Sequence, residues 1–325
     1  MKEGDGCLIT GGAGFIGSNL AEALLQRGMR VRVFDDFSTG RRVNLEDLEG
    51  DLDIVEGDLR DAVAVRDAAR GCAFVFHEGA IPSVARSVAD PVSTNDVNIS
   101  GTLNVLMAAR DEVVERVVFA SSSSAYGNAR TLPVTEDQPS NPISPYGVSK
   151  LAGERYLTSF HASYGLPAIA LRYFNVFGPR QDPNSEYAAV VPRFVTACLE
   201  SRPVTIFGDG EQLRDFTFVG DVVAANLCAA EAGENALGRW YNIAGGNPNT
   251  VNTLLGTIQS LVPTEPVAAV HEPPRVGDIR ESHADVSAAR ELLDFRASFS
   301  FEDGLRRTVE WFAAAERAAA GPNPA

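Results

Sequence analysis

Tyr146 and Lys150 stand four residues apart in the segment YGVSK (146–150). On a helix that spacing is about one turn, so a phenol and an ammonium group can face the same point. Free tyrosine has a pKa of about 10, too high for a base at neutral pH. A nearby ammonium favours the phenolate, and so does an oxidised, cationic ring bound alongside. The pair therefore suits proton removal from a hydroxyl group whose carbon is being oxidised. Upstream, VVFASSSSAYG (117–127) closes an apolar run with four serines. A serine hydroxyl at a strand's C-terminal end can hold a substrate alcohol in line with the base. Ser122 is the first candidate for that task and Ser123 the second, while Ser121 and Ser124 read as structural. A lone Tyr-x-x-x-Lys is common on helix surfaces, so the weight of the pattern rests on its surroundings.

The nearest support is TGGAGFIG (10–17). Gly12, Gly14 and Gly17 satisfy G-x-G-x-x-G, and Gly11, Gly14 and Gly17 satisfy G-x-x-G-x-x-G. The loop follows a predicted strand and opens a predicted helix, a context that brings a pyrophosphate close to a helix N-terminus. Phe15 and Ile16, in the first helical turn, belong to the same expected cofactor contact. Asp35, in VFDD, stands about 20 residues on, where a carboxylate accepts from ribose hydroxyls and repels a 2′-phosphate. NAD is therefore favoured over NADP. Arg41 and Arg42 keep a phosphate-holding alternative open. Asp36 is grouped with Asp35, although an acidic turn describes it better. Asp58 and Leu59, in EGDLRD, are placed near the adenine; Asp58 serves equally well as a helix N-cap.

Elements must then carry these residues to one place. CLIT (7–10), RVRVFDD (30–36), LDIVEGD (52–58), AFVFHEG (73–79), RVVFASS (116–122) and AIALRYF (168–174) read as strands. Amphipathic segments lie between them. FIGSNLAEALLQRG sets Phe15, Ile16, Leu20 and Leu24 on one face and ends at Gly28. This alternation predicts an α/β fold, a doubly wound parallel sheet (Rossmann-like) with a smaller α/β substrate-binding lobe. Residues 1–174 are expected to form an NAD-binding domain, with later chain crossing back at about 213–245. Residues 175–325, where proline and glycine become frequent, are expected to form mainly a smaller lobe built against the first. FEDGLRRTVEWFAAAERAAA reads as a final helix, with GPNPA a frayed tail.

The chain of 325 residues is long enough for a sizeable core. A formal charge of −15 argues against a nucleic-acid partner held through phosphates. Cys7, Cys72, Cys198 and Cys228 are scattered, and Cys7 and Cys72 fall in apolar runs that look like strands. Buried thiols in a reducing compartment fit better than disulfides or a metal. His77, His161, His271 and His283 show no ligand spacing. The N-terminus runs straight into a strand, and no stretch of 18 apolar residues occurs. A cytoplasmic protein without membrane partners is the expectation.

TGGAGFIG, GDLRD, the serine strand-end, YGVSK and RYFNVFGPRQ together resemble the extended short-chain dehydrogenase/reductase family over nearly the whole chain. More narrowly, SVARSVADPVSTNDVNISGTLNVL, GPRQDPNSEYAAVVPRF and IFGDGEQLRDFTFVGDV are similar to segments of the nucleotide-sugar 4-epimerases. The resemblance implies tightly held NAD that is returned unchanged. It implies that Tyr146 takes the proton of the sugar 4-hydroxyl while hydride passes to NAD, and that a 4-keto sugar turns over and is reduced from its other face. Asn175, Arg214 and Arg275 are then expected at the UDP diphosphate, arginine suiting phosphate through its planar fork. A solvated surface charge is a serious rival for Arg275. Asp278 orients ribose or an arginine in this picture. Asn98 and Tyr173 fall where the family contacts the cofactor, though Asn98 equally suits a helix cap and Tyr173 the core. Ser282 stands where the family gates the sugar's C2 substituent, and Ala189, beside Val190, is small at a pocket wall. Both predict room for UDP-glucose/UDP-galactose and for their N-acetyl forms. A homodimer through residues 93–110 and 146–164 is implied as well.

Departures accompany the resemblance. HEGA (77–80) replaces the usual H-x-A-A, Ala85 replaces a common proline, and the four-serine run is unusual. Among rival readings, a 4,6-dehydratase needs Asp-Glu where Ser123 and Ser124 stand, and related decarboxylases want a carboxylate in that stretch. A UDP-glucuronate 4-epimerase needs no extra acid and stays open. From another class, a non-catalytic dinucleotide-binding sensor would usually lack the tyrosine or the lysine.

Overall fold

The computed structural model describes residues 1–129, 131–183, 189–274 and 280–319. In chain order the first half gives β1 (Gly6–Thr10), α1 (Phe15–Gln26), β2 (Arg30–Asp35), β3 (Leu52–Glu56), α2 (Ala62–Ala69), β4 (Phe74–His77), α3 (Val84–Ala89), α4 (Pro91–Asn95), α5 (Gly101–Asp111), β5 (Arg116–Ser122), α6 (Pro145–Tyr164) and β6 (Ala168–Tyr173). The second half gives β7 (Val176–Phe177), α7 (Val190–Leu199), β8 (Val204–Phe207), β9 (Leu213–Arg214), β10 (Thr217–Phe218), α8 (Val219–Glu231), β11 (Arg239–Ile243), β12 (Asn249–Thr250), α9 (Val251–Leu261), β13 (Ala269–Glu272), α10 (Ser287–Leu292) and α11 (Phe301–Ala319).

Seven strands form one parallel sheet in the order β11-β6-β5-β4-β1-β2-β3. Central strands of a parallel sheet are covered on both faces and so read as continuous apolar runs. β1 and β4 are buried at every position. Leu20 of α1 and Val222 of α8 join the core on one face, and Val65 of α2, Val105 of α5 and Leu157 of α6 join it on the other. The chain reverses its winding between β1 and β4, and in such sheets that reversal opens a ligand crevice at the strands' carboxyl ends. The expected doubly wound sheet is thus present. Its seventh strand, β11, and the helix α8 come from the second half of the chain.

A separate apolar cluster, with Phe194, Leu254, Leu305 and Phe312, binds α7, α9 and α11 into the smaller lobe. Two local expectations need correction. Cys72 precedes β4 and lies in no strand, although it is buried. Phe15 and Ile16 do not share the fully buried face of Leu20 and Leu24; they are half-buried and reach toward the smaller lobe's core. A π-helical turn over Asp96–Ser100 separates α4 from α5. Among the described residues, no helix is long and apolar enough to cross a membrane.

Candidate active site

Two loops at the crevice touch through glycine. Gly11 has φ +67°, a conformation that glycine adopts without strain. A Cβ there would lie 2.6 Å from the Gly79 Cα. Gly17 sits so close beneath the loop that a Cβ would lie 2.3 Å from the Gly11 carbonyl oxygen. Gly14 begins α1 without a side-chain cap, which leaves the helix's first N–H groups available to an anion. The substitution of Gly79 into HEGA is therefore a packing feature, because Gly79 lies against Gly11.

At the end of β2, Asp35 is buried and accepts from the N–H groups of Ala13 (2.9 Å) and Phe37 (2.8 Å). Burial pushes its carboxyl upward, and these two donors pull it back. Asp36 is exposed and closes its own turn by accepting from the Ser38 N–H (2.9 Å). Arg42 pairs with Glu56 and stacks on Phe37, so its charge is already engaged. The N-cap alternative for Asp58 is corrected: Asp61 caps α2, accepting from the N–H groups of Val63 and Ala64. Asp58 instead holds Arg60, whose guanidinium lowers the carboxyl. Leu59 is buried in the apolar cluster beneath α2 and α5. A cradle that any Cβ would fill, a helix start without a side-chain cap and a carboxylate at the second strand's end together fit a dinucleotide. Gly11, Gly14, Gly17 and Asp35 are the residues that would hold it.

A hydrogen-bonded chain ties β1 to β4 below this cradle. The Thr102 hydroxyl donates to the Asn98 carbonyl (2.6 Å), which leaves its oxygen to accept from His77 Nε2–H (2.9 Å). His77 Nδ1 then accepts from the Thr10 hydroxyl (2.6 Å). Burial, with the Lys150 charge second, lowers His77 to about 3, so the ring is neutral and structural. Asn98 is buried, accepts from the Ile81 N–H (2.8 Å) and donates to Ser149 Oγ (3.0 Å). It braces the loop after β4 against α6 and does not cap a helix.

α6 presents Tyr146 and Lys150. Ser144 caps it by accepting from the Gly147 N–H (3.1 Å), Pro145 opens it, and Gly165 ends it at φ +70°. Gly153 lets it approach β5, since a Cβ there would lie 2.4 Å from the Phe119 ring. Tyr146, Lys150 and Glu154 recur every fourth residue and meet three successive residues of β5. The Ser122 side chain lies close enough to the Tyr146 phenol to lower it. Lys150 Nζ donates to the Ala120 carbonyl (2.7 Å) and lies 5.9 Å from the Tyr146 ring centre. The Ser121 hydroxyl donates to Glu154 Oε1 (2.5 Å). Ser122 is thus the serine placed at the phenol, and Ser121 is structural. Ser123 and Ser124 begin a 3-10 turn, whose Ser124 N–H donates to Ser122 Oγ (3.1 Å).

The charges around Tyr146 differ from the simplest expectation. Burial pushes the phenol up to about 12; contact with Ser122 lowers it, and the Glu78 carboxylate adds to the rise. Lys150 is lowered to about 8 by burial, with Glu78 and Glu154 supporting its charge. Activation of the phenol is therefore not complete in the protein's own groups, which leaves a task for a cationic ring. Glu78, beside the reactive pair, was not among the expected site residues; the departure of HEGA from the usual pattern was the signal.

Tyr173 is buried, and its hydroxyl donates to Glu78 Oε1 (3.0 Å) and accepts from Asn226 Nδ2 (2.8 Å). Just beyond it, Asn175 Nδ2 donates to the Asp215 carbonyl (3.2 Å) and reaches Ser282 Oγ (3.4 Å). The Ser282 N–H donates to the Leu213 carbonyl (3.1 Å), and Arg214 Nη1 donates to the same oxygen (2.8 Å). The fold therefore gathers Asn175, Arg214 and Ser282. Ala189 is exposed at the start of α7, while Val190 packs on the lobe's core. Arg275 and Asp278 lie outside the described residues.

Known proteins match the chain over most of its length. The model of the NAD dependent epimerase/dehydratase family matches residues 7–244. The chain is 40% identical over 315 residues to a UDP-glucose 4-epimerase of Mycolicibacterium smegmatis, covering 94% of this chain and 97% of that one. It is similar to the structure of a UDP-N-acetylglucosamine 4-epimerase from Methanobrevibacter ruminantium in complex with UDP-N-acetylmuramic acid, with TM-score 0.91, 39% identity and coverage of 97% and 100%. It is also similar to the UDP-glucose 4-epimerase of Thermus thermophilus in complex with NAD, with TM-score 0.86, 38% identity and coverage of 95% and 99%.

Proposed function

Since the chain belongs to the NAD-dependent epimerase/dehydratase family, and is thereby an NAD-dependent enzyme of nucleotide-sugar chemistry, we propose that it inverts C4 of UDP-hexoses. The pairs it interconverts are UDP-glucose with UDP-galactose and UDP-N-acetylglucosamine with UDP-N-acetylgalactosamine. The observation that carries this reading is the contact of Tyr146 with Ser122 beside Lys150, with serines at 123 and 124. A phenol and a hydroxyl suffice to remove and return one proton. Elimination of water from the intermediate would need a further acid and base at 123 and 124, which serines do not supply.

NAD, when bound, supplies the hydride acceptor and later returns the hydride. The protein's share is to place the alcohol and move its proton. Ser122 orients the sugar 4-hydroxyl toward Tyr146, and Tyr146 takes the proton onto its phenolic oxygen. Lys150 holds positive charge beside that oxygen as it alternates between phenol and phenolate. Asn175 and Arg214, with Arg275, hold the diphosphate while the sugar ring turns. Asn98 and Tyr173 act on the cofactor side by fixing the loop after β4 and the Glu78 carboxylate.

Sugar choice is read from Ser282, half-buried beside Asn175. Purified protein supplied with the four UDP-sugars should form both C4 epimers of each pair, resolved by chromatography or NMR. Ser282→Tyr should cost the N-acetyl pair on the order of tenfold or more in kcat/KM and spare the plain hexoses, because added bulk discriminates by sterics. Equal losses for both pairs would remove the gate from this position. Turnover of UDP-glucuronate instead of either pair would favour the alternative reading.

The proposed enzyme is a homodimer through α5 and α6. Met107 of α5, with Val148, Tyr156 and Tyr164 of α6, exposes apolar surface that a second copy would cover. Sedimentation equilibrium should give twice the chain mass of 34.7 kDa. A monomer at micromolar concentration would refute the dimer.

A further inference from the structure

Glu78 follows β4, with its N–H donating to the Thr10 carbonyl at the end of β1 (3.1 Å). Its backbone is thereby fixed at the sheet's carboxyl edge. The Tyr173 hydroxyl, oriented by Asn226, fixes its carboxylate (3.0 Å). Glu78 supports the charge of Lys150 and opposes ionisation of Tyr146, so the three groups share one electrostatic neighbourhood. Proton and hydride leave the same carbinol, one from its oxygen and one from its carbon. The ring that accepts hydride must therefore lie within a few ångströms of the group that accepts the proton. A carboxylate that acts on Tyr146 acts on that ring too.

We propose that Glu78 is a charge-balancing residue whose carboxylate, fixed by Tyr173, biases the bound nicotinamide toward its oxidised, cationic form. The oxidised ring is positive and the reduced ring neutral, so a nearby anion favours the first. An enzyme that must hand its hydride back benefits from this bias, because it resists resting as a reduced, idle complex. The inference rests on the proposed oxidation at a tyrosine-bound alcohol, but it concerns the cofactor and not the sugar.

Glu78 is raised to about 7 by burial, against the opposing effects of the Tyr173 hydrogen bond and Lys150. The ionisable groups facing it are Tyr173 from β6 and Tyr146 and Lys150 from α6, with neutral His77 preceding it on β4. Thr10 from β1 and Asn226 from α8 complete its surroundings without charge. The bias should therefore weaken as pH falls through about 7 and Glu78 takes up a proton. Lys150, lowered to about 8, loses its charge at higher pH and strengthens the bias there.

The test equilibrates holoenzyme with fixed mixtures of excess NAD and NADH and reads the reduced fraction from the fluorescence of protein-bound NADH. No sugar is needed, so failure of the C4-epimerase assignment would leave the result interpretable. Glu78→Gln, which keeps an acceptor for Tyr173, should raise the bound NADH to NAD ratio on the order of tenfold at pH 8, the effect of one unit charge at several ångströms in a partly buried site. The wild type should show the same rise, without any substitution, as pH is lowered through about 7, and Glu78→Gln should be flat across that step. A ratio unchanged by both the substitution and acidification overturns the proposal. If Glu78→Gln does not fold, Glu78→Ala takes its place in the same comparison.

Discussion

Tyr146→Phe should reduce turnover of UDP-sugars by on the order of a thousandfold, the scale of a lost general acid-base group, while NAD stays bound. The substitution removes one oxygen and keeps the ring. Lys150 retains its bond to the Ala120 carbonyl, and the glycine cradle around Gly11 is untouched. The phenolic oxygen beside Ser122 is lost, so the sugar alcohol is left without a base. Steady-state kcat, with the cofactor released by denaturation and quantified, checks both halves. A variant that keeps normal turnover removes Tyr146 from the chemistry. A wild type that binds NAD yet turns over no UDP-sugar supports the sensor reading.

The second large effect concerns folding. Arg172 and Glu154 are fully buried and doubly bonded, Nε to Oε1 (2.7 Å) and Nη2 to Oε2 (2.6 Å). Arg172 Nη2 also donates to Ser140 Oγ (2.8 Å), and the guanidinium lies 4.2 Å from the Tyr126 ring centre. Such a pair is poor evidence of net stabilisation, because desolvating both charges offsets their attraction. Removing one partner is another matter, since the survivor is left charged and dry. Arg172→Leu should therefore lower unfolding free energy by roughly 3–5 kcal/mol. Arg172→Leu combined with Glu154→Leu should recover part of that loss, as measured by equilibrium denaturation. If the double variant is less stable than the single one, Glu154 serves the fold through Ser121 and Lys150 more than through Arg172.

Reading from residues alone reached far where the signal was local. The six strands of the first half, the glycine loop and the helix holding Tyr146 and Lys150 all follow from patterns within a few positions. Asp58 was ambiguous because GDLRD offers two aspartates three residues apart, and only the true start of α2 selects Asp61. Glu78 could be flagged as unusual, but its contact with Tyr173 spans 95 positions and no periodicity announces it. The His77 chain joins Thr10, His77 and Thr102 across three elements, and nothing in the sequence pairs them. Arg172 looked like any strand residue. A buried guanidinium is legible only once the carboxylate opposite it is known.

The register of α6 against β5 carries a consequence for how such a molecule can diversify. One helical face supplies the phenol, the ammonium and the carboxylate that anchors Arg172, so reactive groups and core share a single lever. Any tilt or slide of that rod would disable chemistry and loosen the interior at the same stroke. On the proposed function, novelty in sugar preference is thereby channelled away from the rod, toward positions such as Ser282, whose side chain no core ion pair depends on.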